Sequence, residues 1–127
     1  MIRSRPMPLA KLMGVTFTEA ATDRVVATMV VRDDLCTLGA TIHGGAVMAF
    51  ADSVGAAATV INLPPEAKGT TTIESKTNFV RGVKAGGTVT ATATPVHIGR
   101  RTQVWQTRLE DADGKLVAVV TQTQMVL

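Results

Sequence analysis

The segment from His43 to Pro65, HGGAVMAFADSVGAAATVINLPP, holds one carboxylate, Asp52, and no lysine or arginine. Its length, its apolar content and the Pro64-Pro65 stop predict a helix over roughly Gly45–Asn62. A helix apolar on every side is a buried helix, so the rest of the chain must wrap around it. Asp52 is then an anomaly. Aspartate is a poor helix-interior residue, and a buried, unpaired carboxylate is costly. It must be paired, protonated or functional. Just upstream, His43-Gly44-Gly45 opens the helix, where free N–H groups and the positive dipole end favour developing negative charge. A carboxylate beside an anion-stabilising helix start is a plausible hydrolytic site.

The flanking sequence predicts what wraps the helix. A short helix is expected over Met7–Met13. Strands are expected at Val15–Ala20 and Arg24–Arg32, joined by Ala21-Thr22-Asp23, the second rich in β-branched residues. Asp33–Ile42 reads as a loop. After the helix come strands at Thr70–Val80, Thr88–Ile98, Thr102–Glu110 and Leu116–Val126. Pro95 interrupts the second of these and marks a bulge or an edge. Gly99-Arg100-Arg101 and Asp113-Gly114 read as turns. There are no repeats and no interdomain linker. The 127 residues form one domain, 1–127, of α+β class: a largely antiparallel sheet around one long helix.

Composition excludes several roles. Gly44–Leu63 has the length of a membrane span, but it is rich in Ala and Gly and carries Asp52, Ser53 and Thr59, and an intramembrane acid is costly. No membrane is expected. A net charge of +3 and an aromatic content of 3% fall short of a nucleic-acid surface, though they suit an anionic ligand. The lone Cys36 rules out an intrachain disulfide and fits a reducing, cytoplasmic compartment. The first residues, MIRSRPMPLAKLMG, have too short an apolar run for a signal peptide. No metal-ligand spacing, P-loop or dinucleotide fingerprint is present, and no cofactor is expected.

Four stretches carry a resemblance that spans nearly the whole chain: IHGGAVMAFAD, the segment Thr77–Arg81, the hairpin VHIGRRT and the terminal strand pair. Together they resemble the hotdog-fold acyl-CoA thioesterases of the phenylacetate-pathway (PaaI-type) family. The resemblance implies a sheet wrapped round the helix, Asp52 as the catalytic carboxylate, an acyl-CoA substrate, and homodimers, often paired into dimers of dimers, with sites at the dimer interface. It also implies a Ser or Thr near Thr72 that orients water. At two positions the chain departs from the family. Thr37 stands where the family often has an Asn that holds the thioester or the water, and Gly82 stands where a Pro is usual.

Each candidate residue has a structural reading beside the functional one. Asp52 serves as general base on water or as nucleophile on the thioester, or it is simply paired at a subunit contact or with a distant base. The N–H of Gly44 is a natural oxyanion donor, yet Gly44 and Gly45 also permit close packing. His43 positions the thioester or caps the helix. Gly99, Arg100 and Arg101 form a turn that is solvated or that meets the phosphates of coenzyme A. Met48 and Phe50 line an acyl pocket or fill the core. Cys36 and His97 carry no chemistry. Two other functions stay open at this point. A non-catalytic acyl-CoA-binding module is favoured by Thr37. A hotdog hydratase or dehydratase requires a His–carboxylate pair.

Overall fold

Residues 7–127 are described in a computed structural model. The first six, part of the segment weighed as a signal peptide, lie outside the described residues. The elements run α1 (Pro8–Met13), β1 (Thr16–Ala21), β2 (Arg24–Val30), a 3-10 turn (Asp33–Leu35), β3 (Cys36–Thr37), β4 (Thr41–Ile42), α2 (Gly44–Ile61), β5 (Thr70–Phe79), β6 (Thr88–Ile98), β7 (Thr102–Glu110) and β8 (Leu116–Val126). Six strands form one antiparallel sheet in the order β1-β2-β6-β7-β8-β5. It curls around α2, which packs on β1, β2, β5, β6, β7 and β8.

The alternation in the strands explains the layering. In β2, Val25, Ala27 and Met29 point inward; in β6, Val89, Ala91 and Ala93 do. They close on Val47, Phe50, Ala51, Val54 and Ala58 of α2. With few aromatics, the core is narrow, and Trp105 is its largest buried side chain. Phe50 is core; Met48 lies on the outer face of the helix. By length and composition α2 could cross a membrane, but it is 50% buried inside the fold.

Two hydroxyls of α2 are satisfied within the helix. Ser53 donates to the carbonyl of Ala49 and Thr59 to that of Gly55, one turn back in each case. At the C-terminal end, the Asn62 amide donates to the carbonyls of Ala58 and Thr22, and the Gln103 amide donates to the carbonyl of Asn62. These bonds tie the helix end to the β1–β2 turn and to β7.

Several elements differ from the sequence expectation. The helix begins at Gly44, one residue early, because the His43 side chain caps it. The expected loop at Asp33–Ile42 contains the 3-10 turn and a two-strand ribbon, β3–β4. Gly39 (φ 79°) and Ala40 (φ 54°) reverse the chain at its tip, and Lys84 donates to the carbonyl of Gly39 and the hydroxyl of Thr41. β2 stops at Val30: Val31 still donates to the carbonyl of Gly87, the next residue in register, but its own carbonyl accepts from Gly86, where the paired segment turns away. β5 carries an unexpected bulge between Thr72 and Glu74. The bulge expected at Pro95 is present, between Pro95 and His97. There β2 has already ended, its last pair being Val25 with Ala93, so proline's missing N–H costs no bond to that neighbour.

Candidate active site

Asp52 sits in the middle of α2, half-buried, on the turn of helix that faces the start of β5 and the end of β8. Its partners among the described residues are neutral donors. The hydroxyl of Thr72 donates to Asp52 Oδ1 at 2.7 Å, and the amide of Gln122 donates to the same oxygen at 3.2 Å. Among the described residues, Oδ2 accepts no hydrogen bond. Thr72 in turn accepts from the amide of Gln124, whose Oε1 accepts from the hydroxyl of Thr70 at 3.0 Å. One oxygen of the carboxylate is therefore anchored by two donors and the other is left without a partner among the described residues.

Gln122 and Gln124 did not emerge from the sequence reading. The signal was there: Ala118 and Val120 set the inward phase of β8, and two more steps of period two reach Gln122 and Gln124. Buried polar side chains on an inward phase demand partners, and Asp52 and Thr72 are those partners.

The helix start is a second centre. His43 is the N-cap: its Nδ1 accepts the N–H of Gly45 at 2.7 Å. This capping places the ring proton on Nε2. The N–H of Gly45 is thereby used, whereas the N–H of Gly44 makes no hydrogen bond among the described residues. Gly44 lines a cavity of about 320 Å³ with Ile42, Val47, Phe79, Val80, Arg81 and Gly82. A Cβ on Gly44 would lie 3.2 Å from the Phe79 ring. Phe79, Arg81 and Gly82 come from the Thr77–Arg81 stretch and its flank, which the sequence reading valued as a resemblance and not as a cavity wall.

The chain brings some predicted residues together and separates others. Asp52 and Thr72 are in contact. His43, Gly44 and Gly45 lie at the far end of α2: eight residues separate Gly44 from Asp52, about 12 Å of helix. Among the described residues no His–carboxylate pair forms. Thr37 is exposed on the β3 side of the ribbon and paired with Thr41. Gly99, Arg100 and Arg101 connect β6 to β7 on the sheet end that also holds Thr70 and Thr71: Thr102 pairs with Met125, and Met125 with Thr71. Two strand spacings, about 10 Å, separate the arginine turn from that strand. Arg100 meets Glu66 at 3.4 Å in a solvent-exposed pair, a weak contact that a better anion would replace. Among the described residues no cluster of His, Cys, Asp and Glu could hold a metal ion.

Comparison with known proteins agrees with this architecture. Residues 39–118 match the thioesterase superfamily model. A thioesterase from Haemophilus influenzae superimposes with a TM-score of 0.89 at 30% identity, over 98% of this chain and 86% of that one. A thioesterase from Pseudomonas aeruginosa, solved as a mutant, gives 0.90 at 30% identity, over 98% and 89%. The PaaI protein of the Escherichia coli phenylacetic acid degradation operon gives 0.87 at 25% identity, over 98% and 88%. With its six-stranded sheet curled around one helix and this match over most of its length, the chain belongs to the thioesterase superfamily and is a hotdog-fold thioester hydrolase.

Proposed function

We propose that the protein hydrolyses an acyl- or aryl-CoA thioester to a carboxylic acid and coenzyme A, with Asp52 as general base. The observation that carries this reading is the one-sided anchoring of Asp52. Thr72 and Gln122 hold Oδ1, and Oδ2 takes a proton from water as the water oxygen bonds to the thioester carbonyl carbon. The N–H of Gly44 stabilises the oxyanion. Collapse breaks the C–S bond, and the thiolate regains a proton from Asp52. His43 holds the helix start in shape through its cap, and Gly45 gives the cap its N–H. Thr37 lies on the β3–β4 ribbon, whose Ile42 lines the cavity beside Gly44.

The separation of Gly44 from Asp52 supports a homodimer. β5 is an edge strand, and its outer side is unpaired among the described residues. It carries Thr72, beside Asp52, near one end and Phe79, beside Gly44, at the other. Antiparallel pairing of β5 with β5 of a second copy sets each helix start next to the other copy's Asp52, twice per dimer. Glu74 and Lys76 flank Ser75, so pairing centred there sets acid against base. Exposed Val96, Ile98 and Met125, at the end of the sheet that carries the arginine turn, give two dimers a surface on which to pair. The free thiol of Cys36 suits the cytoplasm.

Gly99, Arg100 and Arg101 receive the nucleotide phosphates. Thiol release measured across a panel of acyl-CoAs tests the reaction; no release from any of them overturns it. The same panel prepared as pantetheine thioesters tests the arginines. Arg100→Ala with Arg101→Ala raises KM for acyl-CoA more than it lowers kcat, and the penalty shrinks on the pantetheine substrates. An equal penalty on both would remove the turn from the site.

A further inference from the structure

Gln122 is a costly choice for its position. It is 1% exposed, and its Oε1 is buried without a hydrogen-bond partner. A side chain of the same length with no polar atoms would avoid that cost. The helix is also adapted to it. Gly55 lies less than one turn beyond Asp52 on α2, and a Cβ there would collide with Oε1, Cδ and Nε2 of Gln122. Glycine in a helix interior is unfavourable by propensity. Two unfavourable residues thus meet at one contact, and the product of that contact is a single hydrogen bond, from Gln122 Nε2 to Asp52 Oδ1.

We propose that Gln122, seated on Gly55, is a positioning residue that fixes which oxygen of Asp52 meets the water; this rests on Asp52 acting as the base. One donor does not orient a carboxylate, because rotation about its last bond offers either oxygen to the same donor. Thr72, on β5, is one donor. Gln122, on β8, reaches the same oxygen from a different strand, and the pair leaves one orientation. Gln124 completes the arrangement: its amide donates to Thr72 Oγ1, which directs the single Thr72 proton toward Asp52.

The test is Gln122→Met, which keeps length and removes the donor. We expect kcat to fall at least tenfold, KM to stay within twofold and the melting temperature to hold or rise. A kcat within twofold of wild type overturns the proposal. Gly55→Ala displaces the amide from the other side. Adding Gln122→Ala to it relieves the collision, so the double variant regains stability without regaining turnover. Turnover that follows melting temperature through all three variants would make the role structural only, and overturn the proposal. Asp52→Asn separates the two readings. If Asp52→Asn retains wild-type kcat, the base assignment fails and the positioning role falls with it. If Asp52→Asn is inactive while Gln122→Met is not, only the positioning role fails. In the Asp52→Asn background, Gln122→Met should cause no further loss of the residual rate.

Discussion

Asp52 is held by a hydroxyl and an amide, not by a cation, and this decides what its removal does. Breaking a buried ion pair leaves an uncompensated charge and destabilises a fold. Removing Asp52 leaves two neutral donors, in a half-buried place that water reaches. Alanine also favours a helix interior by about 0.5 kcal/mol over aspartate. Asp52→Ala should therefore lower turnover by about a hundredfold or more while the protein stays folded, its melting temperature shifted by only a few degrees as the freed Thr72 and Gln122 donors find water or each other. Thiol release and a thermal melt on the same preparation check both halves; a near-wild-type kcat would refute the mechanism. Asp52 was legible in the sequence because it is a lone charge in an apolar run. Its two glutamine neighbours were not, because in TQTQ a polar strand end looks solvent-facing until its phase is counted from Ala118 and Val120.

The elements were legible in proportion to how far local sequence alone determines them. The long strands and α2 follow from period and composition, and their predicted boundaries lie within two residues of those observed. The β3–β4 ribbon does not, because it is closed by Lys84 from a distant segment and by a left-handed Ala40 that no propensity favours. The start of α2 lies between these cases. His43 is a weak N-cap by type, yet its ring nitrogen bonds Gly45 as an Asn or Asp side chain would. The cap makes a prediction at this scale. His43→Ala should cost about 1 kcal/mol of stability, and His43→Asn should recover most of it. If His43 acts only through the cap, the asparagine variant regains turnover as well. Urea unfolding read beside thiol release separates the two: stability recovered without turnover would give the ring a direct role at the thioester.

The molecule as a whole poses the question its parts cannot answer, because one chain holds the two halves of the proposed site, Gly44 and Asp52, about 12 Å apart along a helix. If β5 pairs with its copy, each site takes the Gly44 N–H from one subunit and Asp52 from the other, and the two halves can be inactivated separately. Asp52→Ala removes one half. Gly44→Pro removes the other by deleting the N–H, and the local structure tolerates it for three reasons. Gly44 occupies the first helical position, where proline is favoured. His43 has φ −68° and ψ 136°, the extended conformation a residue before proline requires. Among the described residues the Gly44 N–H makes no bond whose loss would unfold the helix. The closest obstacle is the rim of the exposed Phe79 ring at 3.2 Å from a new Cβ, a side chain free to shift by a few tenths of an ångström. Each variant alone should be folded and inactive. Mixed in equal amounts and allowed to exchange, half the dimers contain one of each, and each such dimer has one intact site and one doubly broken one. Activity should return to about a quarter of the wild-type value per subunit. Native mass spectrometry of the mixture reports the exchange independently. Mixed dimers without recovered thiol release would show that each site is built within a single chain, and α2 would then have to bend or move to bring Gly44 to Asp52.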